Sequence, residues 1–144
     1  MVSREDIVAE ALSWKGTPFH WQQMRKGAGC DCKGLVAGVA QELGMPEAKS
    51  IYAAMPADAS GRVDTRLLIH GLEETMVRAD RMQPGDVLLL TMAKKPQHLA
   101  ILIHDRIVHT YGHGPDCVIT TPLSVALRAW PLNSIWTWKS LDGN

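Results

Sequence analysis

Cys32 follows a loop containing Gly27 and Gly29 and opens a run in which Leu35, Val36, Val39, Ala40 and Leu43 are apolar at helical spacing. A thiol at a helix start feels the positive end of the peptide dipole, which favours the nucleophilic thiolate. His98 and His109 lie far along the chain in apolar, strand-like segments. A cysteine and a distant histidine brought together by folding are the nucleophile and base of a thiol hydrolase. His98 then takes the thiol proton and later returns it to the leaving amine. A third polar group orients the imidazole. With a two-residue turn at Asp105-Arg106, Leu102 faces His109 and His98 faces His113. His98, His104, His109 and His113 then share one strand face, because strand side chains alternate. That register makes His113 the nearest neighbour of His98, with His109 and His104 as alternatives.

Cys30, Cys32, His98 and His109 would also make a Cys2His2 metal set, but Cys-x-Cys is an unusual zinc spacing. The expectation is no metal and no cofactor. Three cysteines, Cys30, Cys32 and Cys117, do not make a disulfide scaffold, and Cys30 reads as structural. Trp14, Trp130, Trp136 and Trp138 read as core or cleft wall; Trp21 also suits stacking on a sugar ring.

The elements that must hold these groups can be read from the pattern around them. Ser3 is a candidate cap for a first helix, with Glu5 and Asp6 in its first turn and an apolar stripe of Ile7, Val8, Ala11, Leu12 and Trp14. Gly16-Thr17-Pro18 ends it, and residues 19–31 read as a loop. A second helix spans 32–43, stopped by Gly44 and Pro46. Residues 45–63 show no period and read as a surface excursion. A short helix follows over 64–73. Strands are expected at 87–90, 98–103, 107–111, 118–121 and 135–138, with a short helix over 123–130. Helices first and strands after indicate an α+β fold in one domain, 1–144. A neutral balance of 15 basic and 15 acidic residues gives no field for nucleic acid. No run approaches 18 apolar residues, so no membrane span is expected. The N-terminus lacks an apolar signal core, which leads us to expect a cytoplasmic protein on synthesis.

Four segments in order resemble the NlpC/P60 cysteine peptidases, which cleave cell-wall peptides on a papain-like fold with N-terminal helices on a C-terminal antiparallel sheet. They are Gly16-Thr17-Pro18-Phe19, Asp31-Cys32-Lys33-Gly34-Leu35, Gln83-Pro84-Gly85-Asp86 and His98-Leu99-Ala100-Ile101, with Ile107-Val108-His109 following. The resemblance implies a triad of Cys32, His98 and His109, so family spacing favours His109 over His113. It also implies a peptidoglycan stem peptide as substrate, cut at the D-γ-glutamyl–diaminopimelate bond. Asp31 suits either a helix cap or a contact to the free amine of that peptide. The Gly29-Cys30-Asp31-Cys32 run is similar to the phage-tail and gene-transfer-agent branch, implying tail proteins as partners and a virion location. Two positions depart from the family. Lys33 replaces the usual serine and is expected at the cleft rim. Phe19 replaces a tyrosine whose hydroxyl contacts substrate. Loss of such a donor near an oxyanion costs ~3 kcal/mol, and His20 is the candidate substitute. Phe19, His20, Trp21, Asp31 and Lys33 are thus the expected substrate-binding set. A weak or inactive tail-tip binding module, and an amidase or acyltransferase with the same dyad, are the alternatives.

Overall fold

Ser3 opens α1 (Arg4–Ser13) with a capping box: its Oγ accepts the Asp6 N–H at 3.1 Å and the Asp6 carboxylate accepts the Ser3 N–H at 2.9 Å. The computed structural model describes residues 1–54, 64–112 and 114–141. A short antiparallel pair, β1 (Met24–Arg25) and β2 (Gly29–Cys30), leads into α2 (Cys32–Glu42), capped by Asp31. Two further helices follow, α3 (Ala48–Ala54) and α4 (Thr65–Thr75), the latter capped by Asp64.

The strands are β3 (Met76–Ala79), β4 (Val87–Met92), β5 (Lys95–Ile103), β6 (Arg106–His109), β7 (Ile119–Pro122) and β8 (Leu132–Trp138), with α5 (Leu123–Ala129) between the last two. They form one antiparallel sheet in the order β3-β8-β4-β5-β6-β7. The α+β class expected from the order of elements is what the chain adopts.

The sheet is covered on both faces, which explains the unbroken apolar run at the start of β4. Val87 and Leu89 of β4, with Leu99, Ile101 and Ile103 of β5, join the larger core beneath α1, α2 and α4. Leu88 and Leu90, with Ala100 and Leu102, join a smaller core against Ala126 of α5. Helix α2 is buried almost all round. Gly38 lets Trp14, the C-cap residue after α1, lie against it, since a Cβ there would meet the indole at 2.3 Å.

Three further local expectations are corrected, beside the loop expected over 19–31, which holds the paired strands β1 and β2. Residues 45–63 are not wholly an excursion: 48–54 are helical, burying Ala48 and Ile51 against the core; residues 55–63 lie outside the described residues. Strand β3 carries no clear sequence signal, because Met76–Ala79 is a short edge strand with two exposed positions. The third concerns the β5–β6 turn. It falls at His104-Asp105, one residue earlier than expected, with Ile103 paired to Arg106 and His104 at φ 59°.

Candidate active site

The one-residue change in the turn moves every pairing on β5 and β6 by two. The ladder pairs Ile101 with Val108 and Leu102 with Ile107. Carried outward, it sets Tyr111 opposite His98 and leaves His109 on the adjacent diagonal, within side-chain reach. The two imidazoles meet there: His98 Nε2 lies 2.8 Å from His109 Nδ1. His109 Nε2 in turn lies 2.7 Å from Thr121 Oγ1 on β7. Both histidines are buried, His98 3% and His109 0% exposed. The rings of Tyr111 and Trp130 close over them at centroid distances of 5.2–5.8 Å. His104 is at the turn, exposed, with Nε2 3.5 Å from Glu5, and takes no part. His113 lies outside the described residues.

Cys32 reaches the same place from α2. A cavity of about 280 Å³ is lined by Cys32, Gln97, His98, Thr110, Tyr111 and Gly112, with Phe19, Trp21, Met92, Ala93 and Lys95 at its other walls. A β-bulge builds the floor. Leu90 pairs with His98 but Thr91 pairs with Pro96, which leaves Gln97 unpaired. The Gln97 carbonyl is therefore available to the Cys32 thiol, at 4.0 Å, while its side-chain amide donates to the Met92 carbonyl at 2.7 Å.

The electrostatics of the thiol are opposite to the sequence-based expectation. Burial, reinforced by the neighbouring Asp31, pushes the Cys32 thiol up to about 12. Burial also takes His98 down to about 3, with His109 adding to the effect, and takes His109 down to about 4. Desolvation outweighs the helix dipole here. Burial thus disfavours the charged form of each of these groups taken singly. Cys30 is likewise pushed to about 12 by burial and lies in the core, a structural thiol as expected.

Asp31 is 2% exposed, and both its oxygens are occupied. Oδ1 accepts the Gly34 N–H at 2.8 Å and caps α2; Oδ2 accepts the Gln22 N–H at 2.7 Å. Gly34 is required by this seating, because a Cβ there would meet the Gln23 carbonyl oxygen at 1.9 Å. Gln22 adopts a left-handed φ of 60°, and the Tyr52 hydroxyl donates to its carbonyl. Gln22 is thus held through both its backbone N–H and its carbonyl, which fixes the loop that carries Phe19 and Trp21 to the cavity. Those two rings meet edge to face, 4.9 Å apart. Trp21 is 51% exposed.

Lys33 is not at the rim. It is 7% exposed, with its ammonium 5.5 Å from the centre of the Tyr52 ring, away from the cavity lining. The His20 ring lies over Gly29 and is not among the residues that line the cavity. Among the described residues no group of three or more His, Cys, Asp or Glu is placed to hold a metal ion. No helix among the described residues is long and apolar enough to cross a membrane. Gln97, Tyr111 and Thr121 were not singled out in the sequence. Their roles depend on a bulge and on strand pairings that leave no local signal.

The arrangement brings to one cavity a thiol and an imidazole, with two further polar groups in line behind the imidazole. A family model described as the NlpC/P60 family matches residues 16–121. No curated protein matches the chain. Among solved structures, it is similar to the NlpC/p60 domain of the peptidoglycan hydrolase SagA, at 22% identity over 94% of this chain and 99% of that one, with a TM-score of 0.59. An NlpC/P60 family protein from Bacillus cereus gives a TM-score of 0.63 at 15% identity, over 95% of this chain and 40% of that one. RipD from Mycobacterium tuberculosis, a non-catalytic NlpC/p60 domain protein adapted to peptidoglycan binding, gives 0.58 at 14% identity over 96% and 98%. At these identities the structures speak for the fold, and the sequence match carries the family. The chain belongs to the NlpC/P60 family.

Proposed function

We propose that this protein is a cysteine peptidase that hydrolyses peptidoglycan stem peptides through Cys32, His98 and His109. The observation that carries the reading is the convergence of Cys32 and His98 on one cavity, with His109 at 2.8 Å behind the base. His98 Nε2 is engaged by His109, which leaves Nδ1 as the nitrogen that takes the thiol proton. Burial disfavours the charged form of either group by itself. Proton transfer from Sγ to Nδ1 creates thiolate and imidazolium together, and each charge stabilises the other.

The thiolate attacks the scissile carbonyl to give a tetrahedral oxyanion. N–H groups at the start of α2, the positive end of the helix, hold that charge. Collapse of the intermediate expels the amine, which takes the proton from His98, and leaves an acyl-enzyme. Water, deprotonated by His98, then releases the acid and frees the thiol. The bond cut is the D-γ-glutamyl–diaminopimelate bond, by resemblance to the family. Phe19 and Trp21 form the apolar wall for the substrate, and Trp21 is exposed enough to stack on a sugar. Asp31 acts through its cap. The setting is a phage tail or gene-transfer agent, in which the enzyme opens the wall locally.

A second reading, binding without cleavage, is favoured by the Cys32 thiol being turned to the Gln97 carbonyl. The test sets wild type against Cys32→Ser on defined muropeptides, with products read by mass spectrometry and binding by calorimetry. Product from wild type alone supports hydrolysis. Binding by both with product from neither supports the second reading. Neither product nor binding overturns both.

A further inference from the structure

Thr121 lies at the end of the polar line, on a strand that the expected triad does not include. Its Oγ1 is 2.7 Å from His109 Nε2. Its position is fixed from several sides. Thr121 pairs with Ile107 across β6 and β7. Arg106 donates to the Thr120 hydroxyl at 3.2 Å and to the Thr120 carbonyl at 3.3 Å. The Leu123 N–H donates to the Asp105 carbonyl at 2.8 Å. The hydroxyl therefore meets the histidine on a braced backbone.

Proton positions along the line are interdependent, since a neutral imidazole donates from one nitrogen and accepts at the other. For His98 to take a proton at Nδ1, its Nε2 must carry hydrogen and donate to His109 Nδ1. His109 must then carry hydrogen on Nε2, and that N–H needs an acceptor in a buried place. In the opposite arrangement His109 donates to His98 Nε2. His98 then carries hydrogen on Nδ1 and cannot serve as the base. One hydroxyl at the far end bears on which arrangement prevails.

We propose that Thr121 is a positioning residue of this site: its hydroxyl accepts the His109 Nε2–H and thereby holds His98 in the tautomer whose Nδ1 takes the Cys32 proton. This rests on the Cys32–His98 reading of the site. When the proton moves from Sγ to Nδ1, His98 becomes imidazolium and its Nε2–H is committed to His109, so the acceptor at Thr121 is needed throughout the covalent steps.

The test compares Thr121→Val, which keeps the shape and strand propensity, with Thr121→Ser, which keeps the hydroxyl. Nitrogen NMR on histidine-labelled protein reads the tautomers directly and does not depend on any substrate. The expected result is His109 protonated on Nε2 in wild type and Thr121→Ser, and on Nδ1 in Thr121→Val. With muropeptide, kcat of Thr121→Val falls by about tenfold or more, the scale of a lost buried acceptor, while KM is unchanged. Thr121→Ser restores kcat. Identical tautomers in wild type and Thr121→Val overturn the proposal, as does a kcat loss that Thr121→Ser shares. A wild type that cleaves nothing overturns the hydrolase reading, and the NMR comparison still decides the role of Thr121.

Discussion

His98 and His109 sit on neighbouring strands two ladder positions apart, and their rings meet Nε2 to Nδ1 at 2.8 Å. The contact is diagonal, and it depends on a two-residue turn at His104-Asp105. Removing the imidazole of His109 leaves the His98 Nε2–H without its acceptor in a buried site. His109→Ala is expected to lower kcat roughly 100-fold, within the range of general-base effects, with KM little changed. Steady-state kinetics on a muropeptide reads this. Loss of KM alone would assign His109 to binding.

Burial pushes the Cys32 thiol up to about 12. Alkylation of Cys32 by iodoacetamide in the free protein is expected to be slow at pH 7 and to rise only above pH ~9, the range of an unactivated or buried thiol. Mass-resolved labelling over pH 5–10 would check it. Fast labelling of Cys32 at pH 6 would show that the ion pair exists before substrate arrives.

The buried histidines also couple stability to pH. His98 and His109 are held at about 3 and about 4, below the ordinary 6.5. Both are neutral in the folded protein, whereas the unfolded chain takes up protons below 6.5. Their contribution is present above pH 6.5 and is lost as pH falls from there toward 4 and 3. The loss is about 1 kcal/mol per histidine per pH unit. Urea titrations at pH 7 and pH 5 should show the fall, and His98→Gln,His109→Gln should flatten it.

Asp31 joins two elements that local sequence treats as separate. One oxygen caps α2 at Gly34 and the other holds the Gln22 N–H. Asp31→Ala removes both acceptors and is expected to cost about 2 kcal/mol, the upper end for a lost cap. Asp31→Asn keeps one acceptor oxygen and loses less. Thermal unfolding measures the difference. Equal stability of Asp31→Ala and wild type would remove the cap from the account.

Tyr52 holds the carbonyl of the same residue, Gln22, through its hydroxyl. Tyr52→Phe is expected to loosen the loop bearing Phe19 and Trp21, raising KM severalfold with little change in kcat. A kcat loss at constant KM would instead place Tyr52 nearer the chemistry.

Much of the fold is legible in the residues because its signals are local. Ser3 with Asp6, and Asp31 and Asp64 at their helix starts, announce themselves by side-chain caps within a few positions. The apolar run from Val87 to Leu90 shows a strand buried on both faces. The short sequence Asp31-Cys32 before an apolar helix marks the thiol. What the chain alone left open were relations between distant segments. Which described residue stands beside His98 turned on where a two-residue turn falls, since a one-residue change there shifts the pairing by two. The ionisation of Cys32 turned on burial beneath the sheet, which competes with the helix dipole and exceeds it. The burial of Lys33 depended on Tyr52, from a helix the period did not reveal. Caps and periodicity act over one or two turns of chain, so residue types determine them. Register, bulges and desolvation arise only when strands and helices pack, and at this site the tertiary structure decided them.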